Sequence, residues 1–311
     1  TLVGAPKFDN RGGVCVFQRA SSNSDTWNMQ DKIFGQTIGE KFGTSLGISG
    51  NTSVIGAPGA NNNTGTAYIY ERVGNSWVAQ TKFTPAGLGA NSQFGAAADI
   101  SIDYAIVGAP GANAAYTFSR SGVTWSQNTT LSGFGKFGTS VAIDDDVAIV
   151  GAPDANTAYT YSRSGSSWNS STQLSGSGSF GQSVDVDDDY AVVGAPNYNG
   201  SAGAVYTFTR SGTSWNSGQT LTIANTVSGD YLGWSVSISG ERIVAGAYRH
   251  DVTRTVPIFN THESEGAVYA FGLKSNTWRL ETIVEPLLAA DGMPGDFFGY
   301  AVAIDGKLAV S

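Results

Sequence analysis

The chain has 311 residues, a formal net charge of −8 and 14% charged residues, and its 17 Lys and Arg are spread along the sequence. This balance excludes the basic surface that nucleic-acid binding needs, so no nucleic-acid partner is expected. No window approaches the roughly 20 apolar residues of a membrane span, and no basic-plus-apolar signal segment opens the sequence. Abundant Gly, 41 residues, among Ser, Thr, Val and aromatic residues suits short strands joined by tight turns and points to an all-β class.

The first segment, Thr1 to Pro6, is an apolar strand ending in Gly4-Ala5-Pro6, followed by the run Val14-Cys15-Val16-Phe17. Cys15 is the only cysteine and cannot form an internal disulfide; within this run it reads as a buried, inert thiol. Arg19 and Trp27 follow.

From Phe42 onward the sequence repeats. Phe42-Gly43-Thr44-Ser45-Leu46 opens an alternating strand, a short turn follows, and an apolar strand ends in Gly56-Ala57-Pro58. Two aromatics, Tyr68 and Tyr70, then fall on one face of a third strand, Arg72 precedes a Gly-bearing turn, and Trp77 marks a fourth strand. The same text restarts at Phe94-Gly95, Phe137-Gly138, Phe180-Gly181, Leu232-Gly233 and Phe298-Gly299. Its aromatic pairs are Tyr116 and Phe118, Tyr159 and Tyr161, Tyr206 and Phe208, and Tyr269 and Phe271; in the first copy Cys15 takes the Tyr slot. Gly246-Ala247-Tyr248 departs from the Gly-Ala-Pro ending.

Four short strands every 43 to 66 residues is the arithmetic of a β-propeller blade. Gly and Ala suit a crowded place, Pro ends the strand because it cannot donate to a ladder, and Tyr, Phe and Trp fill the space between blades. A single blade cannot bury both faces, so stacking its neighbours makes the core.

These units resemble the FG-GAP repeats of the integrin α-subunit head and of many secreted bacterial and algal proteins, and the resemblance covers the entire chain. It implies an all-β propeller of four-stranded antiparallel blades, used outside the cell for adhesion or ligand binding. The family's usual count of seven blades is favoured, with incomplete first and last blades and residues 1–311 forming one propeller domain of a longer chain. Six blades closed by the chain's own termini is the alternative. Some integrin-type repeats carry calcium loops between the first two strands; Asp144-Asp145-Asp146 and Asp187-Asp188-Asp189 are instead short acidic hairpin turns.

Chemistry-bearing motifs are sparse. Both His residues lie in the one long insertion, from Arg249 to Glu265, which reads Arg249-His250-Asp251 and later His262-Glu263-Ser264-Glu265. A loop that folds back would bring these side chains toward one metal, but the spacing matches no metal motif, so no cofactor is expected and the segment is read as a contact loop. No nucleophile elbow and no phosphate-cradling loop before a helix is present. Asn51, Asn62, Asn128, Asn169 and Asn199 lie in Asn-x-Ser/Thr acceptors; Asn51, Asn62 and Asn199, in turns and polar loops, are expected to carry glycans first.

Two functions follow. The leading expectation is a non-catalytic extracellular or cell-surface module that presents loops to a protein or glycan ligand, with self-assembly as one form of it. The other is a polysaccharide-acting enzyme with carboxylates in a central funnel or a metal at the insertion.

Overall fold

The computed structural model describes residues 1–21, 26–251, 265–284, 297–306 and 308–311. Each full repeat folds as a four-stranded antiparallel blade in chain order. In the second blade these strands are Ser45–Ser49, Thr52–Ala57, Thr66–Val73 and Ser76–Phe83. The third runs from Ala97–Ser101 to Thr124–Ser132, the fourth from Ser140–Asp144 to Ser167–Ser175, the fifth from Ser183–Asp187 to Ser214–Leu221 and the sixth from Ser235–Ser239 to Thr277–Val284. The first blade has three strands, Leu2–Ala5, Gly13–Arg19 and Trp27–Phe34, and the hairpin of Ala303–Asp305 with Leu308–Val310 begins one further repeat. The fold is therefore a β-propeller with six blades among the described residues. Seven is not reached, because the last repeat contributes only two strands there.

The chain divides into two compact units, Thr1–Asp146 with Arg163–Trp168, and Val147–Ser162 with Asn169–Ser311. In both, hydrophobic clusters draw on consecutive blades. In the first unit, Val54, Ile69 and Phe83 of the second blade pack with Ile100, Val107, Phe118 and Trp125 of the third, and Phe83 stacks on Phe118 with centroids 3.8 Å apart. In the second unit, Val192, Val205 and Leu221 pack with Ile238, Ile243, Tyr269 and Trp278. This is the stacking that a blade with two apolar faces requires.

The two recurrent glycine motifs explain each other. The amide of Gly95 donates to the carbonyl of Gly108 in its own blade at 2.9 Å, and Gly233 does the same to Gly246 at 3.0 Å. The carbonyl of Gly95 lies where a Cβ on Gly56 of the preceding blade would sit, 2.0 Å away, and Gly233 stands in the same relation to Gly194. The crowding inferred for the Gly-Ala-Pro strand thus comes from the Phe-Gly turn of the following blade. Phe42, Phe94, Phe137 and Phe180 are fully buried, and Phe42, Phe94 and Phe180 meet the aromatic pair of their own blade edge-on, as in Phe42 against Tyr68 at 5.5 Å.

Two expectations need correction. Cys15 is only partly buried, because its strand alternates and Val14 and Val16 take the inward positions. His250, expected in the contact loop, is buried instead, with Nδ1 2.8 Å from Asp230 Oδ2. The acidic hairpins are ordinary two-residue turns in which Asp145 and Asp188 adopt positive φ.

Candidate aromatic platform

The repeat serves as its own control for finding residues the fold does not need. The residue before each Phe-Gly or Leu-Gly pair has positive φ in every copy: Lys41, Gln93, Lys136 and Ser179, then Tyr231 and Phe297. The residue after the pair is Thr44, Ala96, Thr139 and Gln182, then Trp234 and Tyr300. The residue after Gly-Ala is Pro6, Pro58, Pro110, Pro153 and Pro196, then Tyr248. Three repeat positions that the other copies fill with small, polar or Pro residues thus carry five aromatics in these last two copies.

The fold brings these five together within the second unit. Tyr231 and Tyr248 stack with centroids 5.6 Å apart, Trp234 lies 4.7 Å from Tyr248 and 5.7 Å from Tyr300, and Tyr248 lies 5.5 Å from Tyr300 and 5.7 Å from Phe297. Tyr248 is the buried centre, Tyr231 and Trp234 are partly buried, and Tyr300 and Phe297 are 57% and 39% exposed. Burial pushes the Tyr248 phenol above its usual range, with the Arg249 guanidinium opposing the shift. Positive φ at a bulky aromatic costs on the order of 1–3 kcal/mol, and such strain gathers at functional sites.

Arg249 completes the surface. It is exposed, and its guanidinium carbon lies 5.6 Å from the Tyr231 centroid and 5.5 Å from that of Tyr248. Behind it, the Asp230 carboxylate accepts from the Val227 amide at 2.8 Å and meets His250, while Glu265 is buried close by in sequence to the pairing strand. His250 therefore braces the turn that carries Tyr248 and Arg249. No metal-competent group of three His, Cys, Asp or Glu occurs among the described residues.

Of the contact loop expected from sequence, Arg249 lies on the platform, Asp251 is exposed at its margin, His250 is turned inward, and His262 and Glu263 lie outside the described residues. Tyr231, Trp234, Phe297 and Tyr300 were not singled out by motif reading; aligning the repeat columns would have found them. Among the glycan acceptors, Asn51, Asn62, Asn169 and Asn199 are exposed. Asn128 is partly buried: its Oδ1 accepts from Ser119 Oγ at 3.0 Å and its Nδ2 is covered.

The family model described as FG-GAP repeat matches residues 36–70, 132–168, 174–208, 215–271 and 282–310. No curated protein sequence matches the chain. Among solved structures, a candidate 6-phosphogluconolactonase from Bacteroides uniformis is similar with a TM-score of 0.66 at 11% identity, covering 92% of this chain and 82% of that one. A protein from Lactobacillus plantarum is similar with a TM-score of 0.59 at 9% identity, covering 91% and 81%. Likeness at these identities concerns the fold alone.

Proposed function

We propose, on the premise that the chain belongs to the FG-GAP repeat family as its matched segments establish, that it is a non-catalytic binding module working outside the cell or at its surface. The observation that carries this reading is the concentration of five aromatic residues at three repeat positions where the fold accepts Lys, Gln, Ser, Thr, Ala or Pro. Selection for folding gives no reason to place strained, exposed rings there, whereas recognition does: aromatic side chains supply large, rigid contact area at low entropic cost. The ligand belongs to the protein and glycan class found at cell surfaces. Exposed glycan acceptors at Asn51, Asn62, Asn169 and Asn199 suit an extracellular glycoprotein, and the acidic balance suits solubility there.

The test returns the platform to the residues of the other blades, in a variant carrying Tyr231→Lys, Trp234→Thr, Tyr248→Pro and Tyr300→Ala. Far-UV circular dichroism is expected to keep the β signature, while cosedimentation with the cell-surface fraction of the source organism is lost. Undiminished cosedimentation would overturn the assignment of binding to this face. Turnover of a polysaccharide panel that disappears in the same variant would replace a binding role with an enzymatic one.

A further inference from the structure

The platform's charge and shape narrow the ligand, an inference that rests on the binding reading above. Tyr300, Phe297 and Trp234 present ring surface to solvent, which suits the apolar C–H face of a pyranose ring. The Arg249 guanidinium lying over Tyr231 and Tyr248 already occupies the place a cationic ligand would seek, and a second cation would meet like charge. The Asp230 carboxylate behind Arg249 is buried and taken by His250 and the Val227 amide. The exposed Arg249 guanidinium hydrogen-bonds the Tyr248 side chain, and its planar fork carries further N–H donors that suit a planar anion.

We infer that the platform binds a saccharide chain bearing carboxylates, a polyuronate, with sugar faces on Tyr300, Phe297 and Trp234 and one carboxylate on the Arg249 guanidinium. A neutral Pro-rich peptide could use the rings, but it would leave Arg249 without a role. The protein's net charge of −8 opposes a polyanion at long range, but at physiological ionic strength screening over about 8 Å leaves the local contact to decide.

The experiment is calorimetric titration of the whole protein, at about 0.15 M salt, with a galacturonate hexamer, its methyl-esterified form and a Pro-rich peptide. The galacturonate hexamer is expected to bind at least about tenfold more tightly than the ester, because a charged hydrogen bond contributes on the order of 1.5–3 kcal/mol. Arg249→Gln is expected to remove that preference while leaving the ester's affinity unchanged, and Arg249→Lys to restore part of it. Tyr300→Ala is expected to weaken both sugars. Equal binding of acid and ester, or preference for the peptide, would overturn the inference. So would absence of sugar binding in a protein that still cosediments through its platform, an outcome that leaves the binding function standing; loss of platform-dependent cosedimentation sinks the binding function itself.

Discussion

The carboxylate of Asp185 in the fifth blade accepts the amide of Ile238 in the sixth, at 2.8 Å, and also takes the Ser237 hydroxyl at 2.8 Å. Asp99 and Ile143 stand in the same relation in the first unit, at 2.9 Å, so the side chain is a recurrent staple between consecutive inner strands.

Asp185 makes this staple sensitive to pH. Desolvation raises its pKa to about 6 from 3.8, outweighing the hydrogen bonds that lower it. Because the folded value is the higher one, the stability it contributes is full below pH 3.8 and is lost as pH rises through about 6. Asp185→Asn forfeits one acceptor at every pH but removes this slope. Its stability relative to the parent is expected to improve by on the order of 1–3 kcal/mol between pH 4 and pH 7. Urea unfolding at both pH values measures the difference; parallel curves would remove Asp185 as the titrating group.

Glu40 organises the turn before Phe42. It is 1% exposed, its Oε2 accepts the amides of Gln36 and Thr37 at 2.7 and 2.9 Å, and its Oε1 accepts the Tyr68 hydroxyl. Glu40→Ala leaves these donors buried without an acceptor and is expected to lower stability by about 2–4 kcal/mol, with Glu40→Gln between the two. Chemical denaturation of the three proteins ranks them.

Gly56 and Gly74 separate crowding from conformation. A Cβ at Gly56 would lie 2.0 Å from the Gly95 carbonyl oxygen and 2.3 Å from Ser45 Oγ, so Gly56→Ala is expected to abolish soluble folded protein. At the hairpin tip Gly74 has φ +63 and no atom within 4 Å of the added carbon, so Gly74→Ala should cost only about 1 kcal/mol. Similar melting temperatures for the two variants would contradict the interlock of the two glycine motifs.

Phe297 tests whether the platform stores strain. It sits at φ 55 and is 39% exposed, so Phe297→Asn relieves a conformation that Asn tolerates and removes a ring that the fold does not bury. The variant is expected to be more stable by about 0.5–1 kcal/mol and to bind ligand less tightly, a trade known for functional sites. A drop in melting temperature would show that the ring's contacts outweigh its strain.

Glycan occupancy follows the geometry of each acceptor. Peptide mapping of secreted protein should find Asn51, Asn62, Asn169 and Asn199 modified and Asn128 bare, because its amide nitrogen is covered beside Ser119. A glycan on Asn128 would require that third-to-fourth-strand pairing to open.

The sequence by itself determined the blade. Phe-Gly, Gly-Ala-Pro, the aromatic pair and the Trp recur at intervals fixed by strand and turn lengths, and each is a local signal: alternation, a missing donor, a residue free to adopt positive φ. Only the tertiary structure decided what those signals were for. That Gly56 is required by the carbonyl of Gly95, that Asp185 answers Ile238, and that His250 turns inward to Asp230 all depend on contacts between residues 20 to 53 positions apart. The platform lies between these cases. Tyr231, Trp234, Tyr248, Phe297 and Tyr300 are visible in the sequence as departures from the repeat, yet three of the departures fall in one copy and two in the next. They become one surface only because consecutive blades pack with the same turn on the same side, an arrangement that period and composition leave unspecified.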